Sequence, residues 1–120
     1  MANILMLSHN DIPDARVEKE SQALLAAGHK VYLIVPNVRE EEAKKSFTEV
    51  ITHNYNLKHY FFGFPIKKTL QHHLALIKKY NIDIIRAHNI ICINIALKLA
   101  KKTDTKLIFD DHETWSLWMK

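Results

Sequence analysis

Short apolar runs alternate along this chain with segments of helical period, and no other feature restricts its fold so severely. Asn3 to Ser8 is apolar without a helical repeat, which reads as a buried strand. A polar turn, Ser8-His9-Asn10-Asp11, and Pro13 follow, the proline suited to the first turn of a helix. From Asp14 the pattern is helical, with Val17, Leu24 and Gly28 on one face and Ser21 between them. Gly28 supplies a left-handed stop, and His29 to Val35 reads as a second strand ended by Pro36. That is one β-α-β unit with a right-handed connection.

The pattern continues less regularly. Glu40 to Lys45 suits a short helix or a loop, Phe47 to Ile51 a strand, and Lys58 to Phe62 another. Pro65 opens a helix whose stripe is Ile66, Leu70, Leu74 and Ile77. Ile82 to Ala87 is the fourth strand, Asn89 an N-cap for a helix reaching Lys102, and Lys106 to Phe109 the fifth strand. Strands alternating with helices imply an α/β fold, a doubly wound, Rossmann-like parallel sheet with helices on both faces. At 120 residues the chain suffices for one such domain, 1–120, and not for two.

Composition narrows the function. A hydrophobic fraction of 48% with 25% charged residues is that of an ordinary soluble domain. The N-terminus lacks a basic leader and no apolar run approaches the roughly 18 residues of a membrane span, so a cytoplasmic location is the default expectation. Cys92 lies in an apolar run and reads as an inert buried thiol. Lysines fall in pairs at 44–45, 67–68, 78–79 and 101–102, giving solvated faces first and a route to phosphates or an anionic membrane second. Nothing in the sequence calls for nucleic acid as a partner.

In open α/β sheets ligands bind outside the carboxyl ends of the strands. The first strand ends in Ser8, His9, Asn10 and Asp11, the fourth in His88 and Asn89, and the fifth in Asp110, Asp111, His112 and Glu113. Turn chemistry accounts for Asn89 and Asp11, but poorly for histidines at all three ends. The first turn contains no glycine to let backbone approach a pyrophosphate, which argues against a dinucleotide cofactor. Consecutive residues of the Asp110–Glu113 turn point different ways, and without a further ligand motif no metal is expected there.

Three segments, DIPDARVEKESQALLAAGHKVYLI, NIDIIRAHNI and KLIFDDHETWS, occur in order across nearly the whole chain. Together they resemble the N-terminal domain of family 4 glycosyltransferases of the GT-B fold: an Asp-x-Arg before a helix ending in Gly-His, a strand ending in histidine, and a strand ending in Asp-x-His or Asp-Glu-His. Arg86 stands where that family has the first of two histidines. The resemblance implies retaining transfer of a sugar from a nucleotide-sugar donor to a sugar or lipid-linked acceptor, with no resident cofactor. His112 would be the catalytic group, hydrogen bonding to the donor sugar and stabilising developing charge. Arg16 would contact phosphate or acceptor, unless it merely pairs with Glu20 one turn on, while Asp14 caps the helix. His88, His9, Asn10, Asp111 and Glu113 complete the substrate-binding set.

The chain departs from the family in having Ser8-His9-Asn10 in place of the glycine pair that admits the donor diphosphate. The donor-binding C-terminal domain, whose paired glutamates and basic residues hold the nucleotide, is absent from these 120 residues. The expectation is therefore an acceptor-side, truncated domain, inactive alone, whose partner is a C-terminal-domain chain or a second copy. Trp115, Leu117 and Trp118 would form the apolar edge for such a partner. The alternative is a non-catalytic module binding a carbohydrate, lipid phosphate or protein. HYFFGFPIKK would then touch a membrane peripherally, its competing reading being core. A response-regulator or flavodoxin-like domain fits worst, since its acidic pocket or phosphate loop is missing.

Overall fold

The structure is a computed structural model that describes residues 1–53, 67–88 and 92–109. Its elements are β1 (Asn3–Leu7), α1 (Ala15–Ala26), β2 (Lys30–Val35), a 3-10 turn (Glu41–Ser46), β3 (Glu49–Thr52), α2 (Lys67–Lys79), β4 (Ile84–Ala87), α3 (Ile93–Thr103) and β5 (Lys106–Phe109). All five strands are parallel, in the order β3-β2-β1-β4-β5. The expected strand over Lys58 to Phe62, the helix start at Pro65 and Ile66, the Asn89 cap and the aromatic segment from His59 to Ile66 lie outside the described residues. So does everything from Asp110 to Lys120.

Strand geometry explains the layers. Successive side chains alternate between faces, so a strand buried on both sides must be apolar throughout. Leu5 and Leu7 of β1 join Tyr32 and Ile34 of β2, Ile85 of β4, Ile77 of α2, and Ile95 and Leu99 of α3 in one core. Ile4 and Met6 point the other way, to Val31, Leu33 and Val35 of β2 and Val17 of α1. Thus α1 covers one face and α2 with α3 covers the other. Ala43 and Phe47, inside and just after the 3-10 turn, close the α1 side.

Two local boundaries differ from the sequence reading. Pro13 lies outside the helix, after a cis bond from Ile12, because Asp14 takes the capping position. The Asp14 carboxylate accepts from Arg16 N at 3.1 Å, and Glu18 reaches back to Asp14 N at 2.8 Å, so two otherwise orphaned donors are satisfied. Phe47 closes the 3-10 turn, its N–H donating to Lys44 O at 3.1 Å, so β3 begins at Glu49 instead of Phe47. The segment from Glu40 resolves as that turn, tied to α1 by Ser21 Oγ donating to Ser46 O at 2.6 Å.

Gly28 has φ +92°, with its N–H donating to Leu25 O and the His29 N–H to Leu24 O, both at 3.0 Å. An added Cβ there would meet nothing within 4 Å, so the requirement for glycine is the backbone angle alone. Gly28→Ala should lower unfolding free energy by about 1 kcal/mol in urea denaturation. A larger loss would mean that packing, not dihedral strain, constrains the position.

Candidate functional site

The chain runs from β1 outward through β2 to β3, then returns to lay β4 and β5 on the other side of β1. The order therefore reverses between β1 and β4, the switch point at whose carboxyl ends open α/β sheets place their ligand crevice. Leu7 stands opposite Ala87, and Ala87 opposite Phe109, so β1, β4 and β5 end side by side.

The turn after β1 is closed on itself. Ser8 is buried, its N–H donates to Ile34 O at 3.1 Å, and its hydroxyl lies 3.2 Å from Asn10 N and 3.3 Å from Asn10 O. His9 is half-buried and Asn10 exposed. Asp11 then accepts from Asn37 Nδ2 and Arg39 Nε, each at 3.2 Å, while Ile12 bridges to Val38. These bonds strap the turn to the loop after β2.

Beneath the crevice lies a charged group in an unlikely place for charge. Arg86 sits within β4 opposite Met6, hence on the face covered by α1. It ion-pairs there with Glu20 of α1, both side chains about a quarter exposed. Glu20 is thus a partner of Arg86, a pairing across layers, while the Arg16 side chain is exposed on the first turn of α1. The strand interior supplies no compensating charge, so Arg86 draws a carboxylate from the neighbouring layer. His88, two residues on, is fully buried, with Nε2 3.9 Å from the same Glu20 oxygen. Of the expected site residues, His9, Asn10 and His88 flank the reversal point, and Arg16 lies at the start of α1. His112, Asp111 and Glu113 lie outside the described residues.

The sequence reading passed over a second group. His53 directly follows β3, and His72 and His73 lie on α2. His72 Nδ1 is 3.3 Å from His73 Nδ1, and the His53 and His72 rings stack with centroids 4.6 Å apart. Thr69 Oγ1 lies 3.3 Å from His53 Nε2. Burial, reinforced by His53 and His72, pushes the His73 imidazole down from 6.5 to about 3. His53 is lowered too, by burial and then by His72. The one available signal was the His72-His73 doublet within a helical stripe. His53 also borders a cleft of about 420 Å³ lined by Pro36, Asn37, Val38, Glu41, Lys44 and Thr52. Cys92 is buried and its thiol pushed up to about 12, which keeps it protonated and inert.

Comparison with known sequences matches residues 15–120 to Glycosyltransferase Family 4. A search of curated proteins returned no match. Among solved structures, a glycosyltransferase from Rickettsia africae ESF-5 superposes with a TM-score of 0.70 at 22% identity, over 90% of this chain and 29% of that one. The glycosyltransferase SsfS6 from Streptomyces sp. SF2575 gives 0.58 at 16% identity, over 92% and 39%. The C-terminal domain of a hydrogenase from Pyrococcus furiosus gives 0.64 at 14% identity, over 91% and 90%. The chain therefore spans under a third of the first glycosyltransferase and well under half of the second. At these identities the superpositions establish a shared fold.

Two stability measurements test this geometry. Glu20→Gln, which leaves the guanidinium without its carboxylate, should cost about 2 kcal/mol in urea denaturation, whereas the double change Glu20→Leu with Arg86→Met should cost less than the single one. Additive losses would show that the two residues do not interact. For His73, the unfolded chain takes up a proton below pH 6.5 that the folded chain refuses until about 3, so stability falls as pH drops through that window. Between pH 7 and pH 5 that loss is about 2 kcal/mol, and His73→Leu should flatten the pH dependence by a similar amount. An equally steep dependence in the variant would assign the effect to another group.

Proposed function

This chain belongs to Glycosyltransferase Family 4, and on that premise we propose that it is the acceptor-side, N-terminal part of a retaining glycosyltransferase. Such an enzyme moves a sugar from a nucleotide-sugar donor to an acceptor hydroxyl with the anomeric configuration kept. The observation that carries the reading is the reversal of strand order between β1 and β4, flanked by His9, Asn10 and His88 in a chain matched to the family over residues 15–120. Sugars are held by convergent polar groups at such a rim, and a half-buried imidazole beside an exposed amide is apt for acceptor hydroxyls.

Each residue then has a distinct task. Asn10 and His9 hydrogen bond to the acceptor. Arg16, exposed at the start of α1, presents its planar guanidinium to phosphate on the acceptor. His88, fully buried against Glu20, is a positioning residue that supports the crevice floor instead of touching sugar. His112 donates to the transferred sugar and stabilises charge as the bond to the leaving diphosphate breaks. Asp111 and Glu113 hold sugar hydroxyls beside it.

The donor nucleotide belongs to a second domain in this reading. The β1 turn supports that division, because its Ser8 and Asn10 groups are engaged with one another and with Ile34, not poised for a diphosphate. The isolated chain is accordingly proposed to be inactive, to act in or beside the cytoplasm, and to need a donor-binding domain as its partner.

Activity in the assembled enzyme tests the assignment. His112→Ala should lower kcat roughly 100- to 1000-fold with little change in KM for the acceptor, and unaltered turnover would remove His112 from charge stabilisation. Calorimetry of the isolated chain with uridine- and guanosine-diphosphate sugars should register no binding. Micromolar affinity would contradict the placement of the donor.

A further inference from the structure

Among the described residues, His53, His72 and His73 form a group in which one ring nitrogen from each lies within 4.8 Å of the other two. We propose that these three histidines bind one divalent transition-metal ion of the zinc class, a site separate from the β1–β4 crevice and independent of the sugar-transfer reading.

The donor chemistry selects the ion. Three imidazoles are borderline-soft nitrogen ligands, suited to zinc, copper or nickel and poorly suited to magnesium or calcium, which prefer oxygen. The spacing agrees. Zinc–nitrogen bonds of roughly 2.1 Å in a tetrahedron set two ligating nitrogens about 3.4 Å apart. The Nδ1 atoms of His72 and His73, 3.3 Å apart, stand at that separation already. No pair exceeds 4.8 Å, so closing the set asks for a shift of roughly 1.5 Å at most, within reach of a ring rotation at half-buried His53.

Sequence distance makes the cluster meaningful. His53 comes from the end of the edge strand β3, while His72 and His73 come from the helix that packs on the opposite side of the sheet from α1. An ion held by all three would tie the carboxyl end of β3 to α2. Three protein nitrogens leave a fourth tetrahedral position for water or an incoming ligand. His53 borders the 420 Å³ cleft that also carries Glu41, Lys44 and Thr52, so an anion entering beside Lys44 would arrive next to the ion. Buried Thr69, in contact with His53, supplies the outer contact that steadies a ligand ring.

The test uses the chain stripped of metal with a chelator. Titration with zinc by calorimetry should give one ion per chain, and cobalt(II) should develop the intense visible absorption of a tetrahedral site. Zinc should also raise the melting temperature in proportion to its binding. His53→Gln and His72→Gln, both at half-buried positions, should each weaken binding roughly tenfold or more while the far-ultraviolet circular dichroism is unchanged. His29→Gln, at the opposite rim of the sheet, should bind as the parent does. Affinity weaker than about 100 μM, or binding that survives both substitutions, would overturn the proposal.

Discussion

The central strand β1 governs the rest of the molecule, because it is hydrogen bonded along both edges and buried on both faces. Leu5, Met6 and Leu7 are fully buried, and each such side chain stabilises the fold by about 2 kcal/mol relative to exposure. Burial of that strand forces three consequences. Its backbone groups must be paired by β2 and β4, its two faces must be covered by separate helical layers, and parallel pairing must send every connection back across the sheet. The carboxyl ends then collect on one rim. The crevice follows from the core.

The Arg86–Glu20 pair shows how the rim and the core communicate. A guanidinium inside a strand between Ile85 and Ala87 is tolerated only with a carboxylate supplied from α1. That requirement fixes which turn of α1 lies over β4. His88 uses the same carboxylate. A single acidic residue on α1 therefore bears on the strand, the helix and the buried imidazole together.

How much of this was legible in the sequence depends on whether the deciding forces are local. Continuous apolar runs revealed β1 and β2, because strands buried on both sides hold few polar residues, and shorter apolar runs revealed β4 and β5. Gly28 announced the end of α1 through its backbone angle, and Asp14 its beginning. At the margin the reading was less sharp: β3 is a half-exposed edge strand, and Phe47 looked like strand although its side chain closes a 3-10 turn. The pairing of Glu20 with Arg86 was not legible, since one turn of helical separation is visible in a sequence and a contact between layers is not. The His53, His72 and His73 cluster escaped for the same reason, being brought together only once β3 and α2 have packed.

The same sheet in a hydrogenase domain from Pyrococcus furiosus, at a TM-score of 0.64, shows that this architecture does not choose a chemistry. What chooses it is the polar equipment of the rim, and here that equipment is divided. On one side of β1, at the reversal of strand order, stand the Asn10 amide and the His9 and His88 imidazoles. On the other side, past β2, the end of β3 offers three nitrogens beside a lysine-bearing cleft. Both places draw on histidine, in different surroundings. At the reversal point His88 is fully buried, its Nε2 3.9 Å from the Glu20 carboxylate. At β3 the His53 and His72 rings stack, the His73 ring lies edge-on to both, and burial lowers the His53 and His73 imidazoles. The fold thus brings one residue type to a single edge and lets the neighbouring layers set the surroundings of each ring.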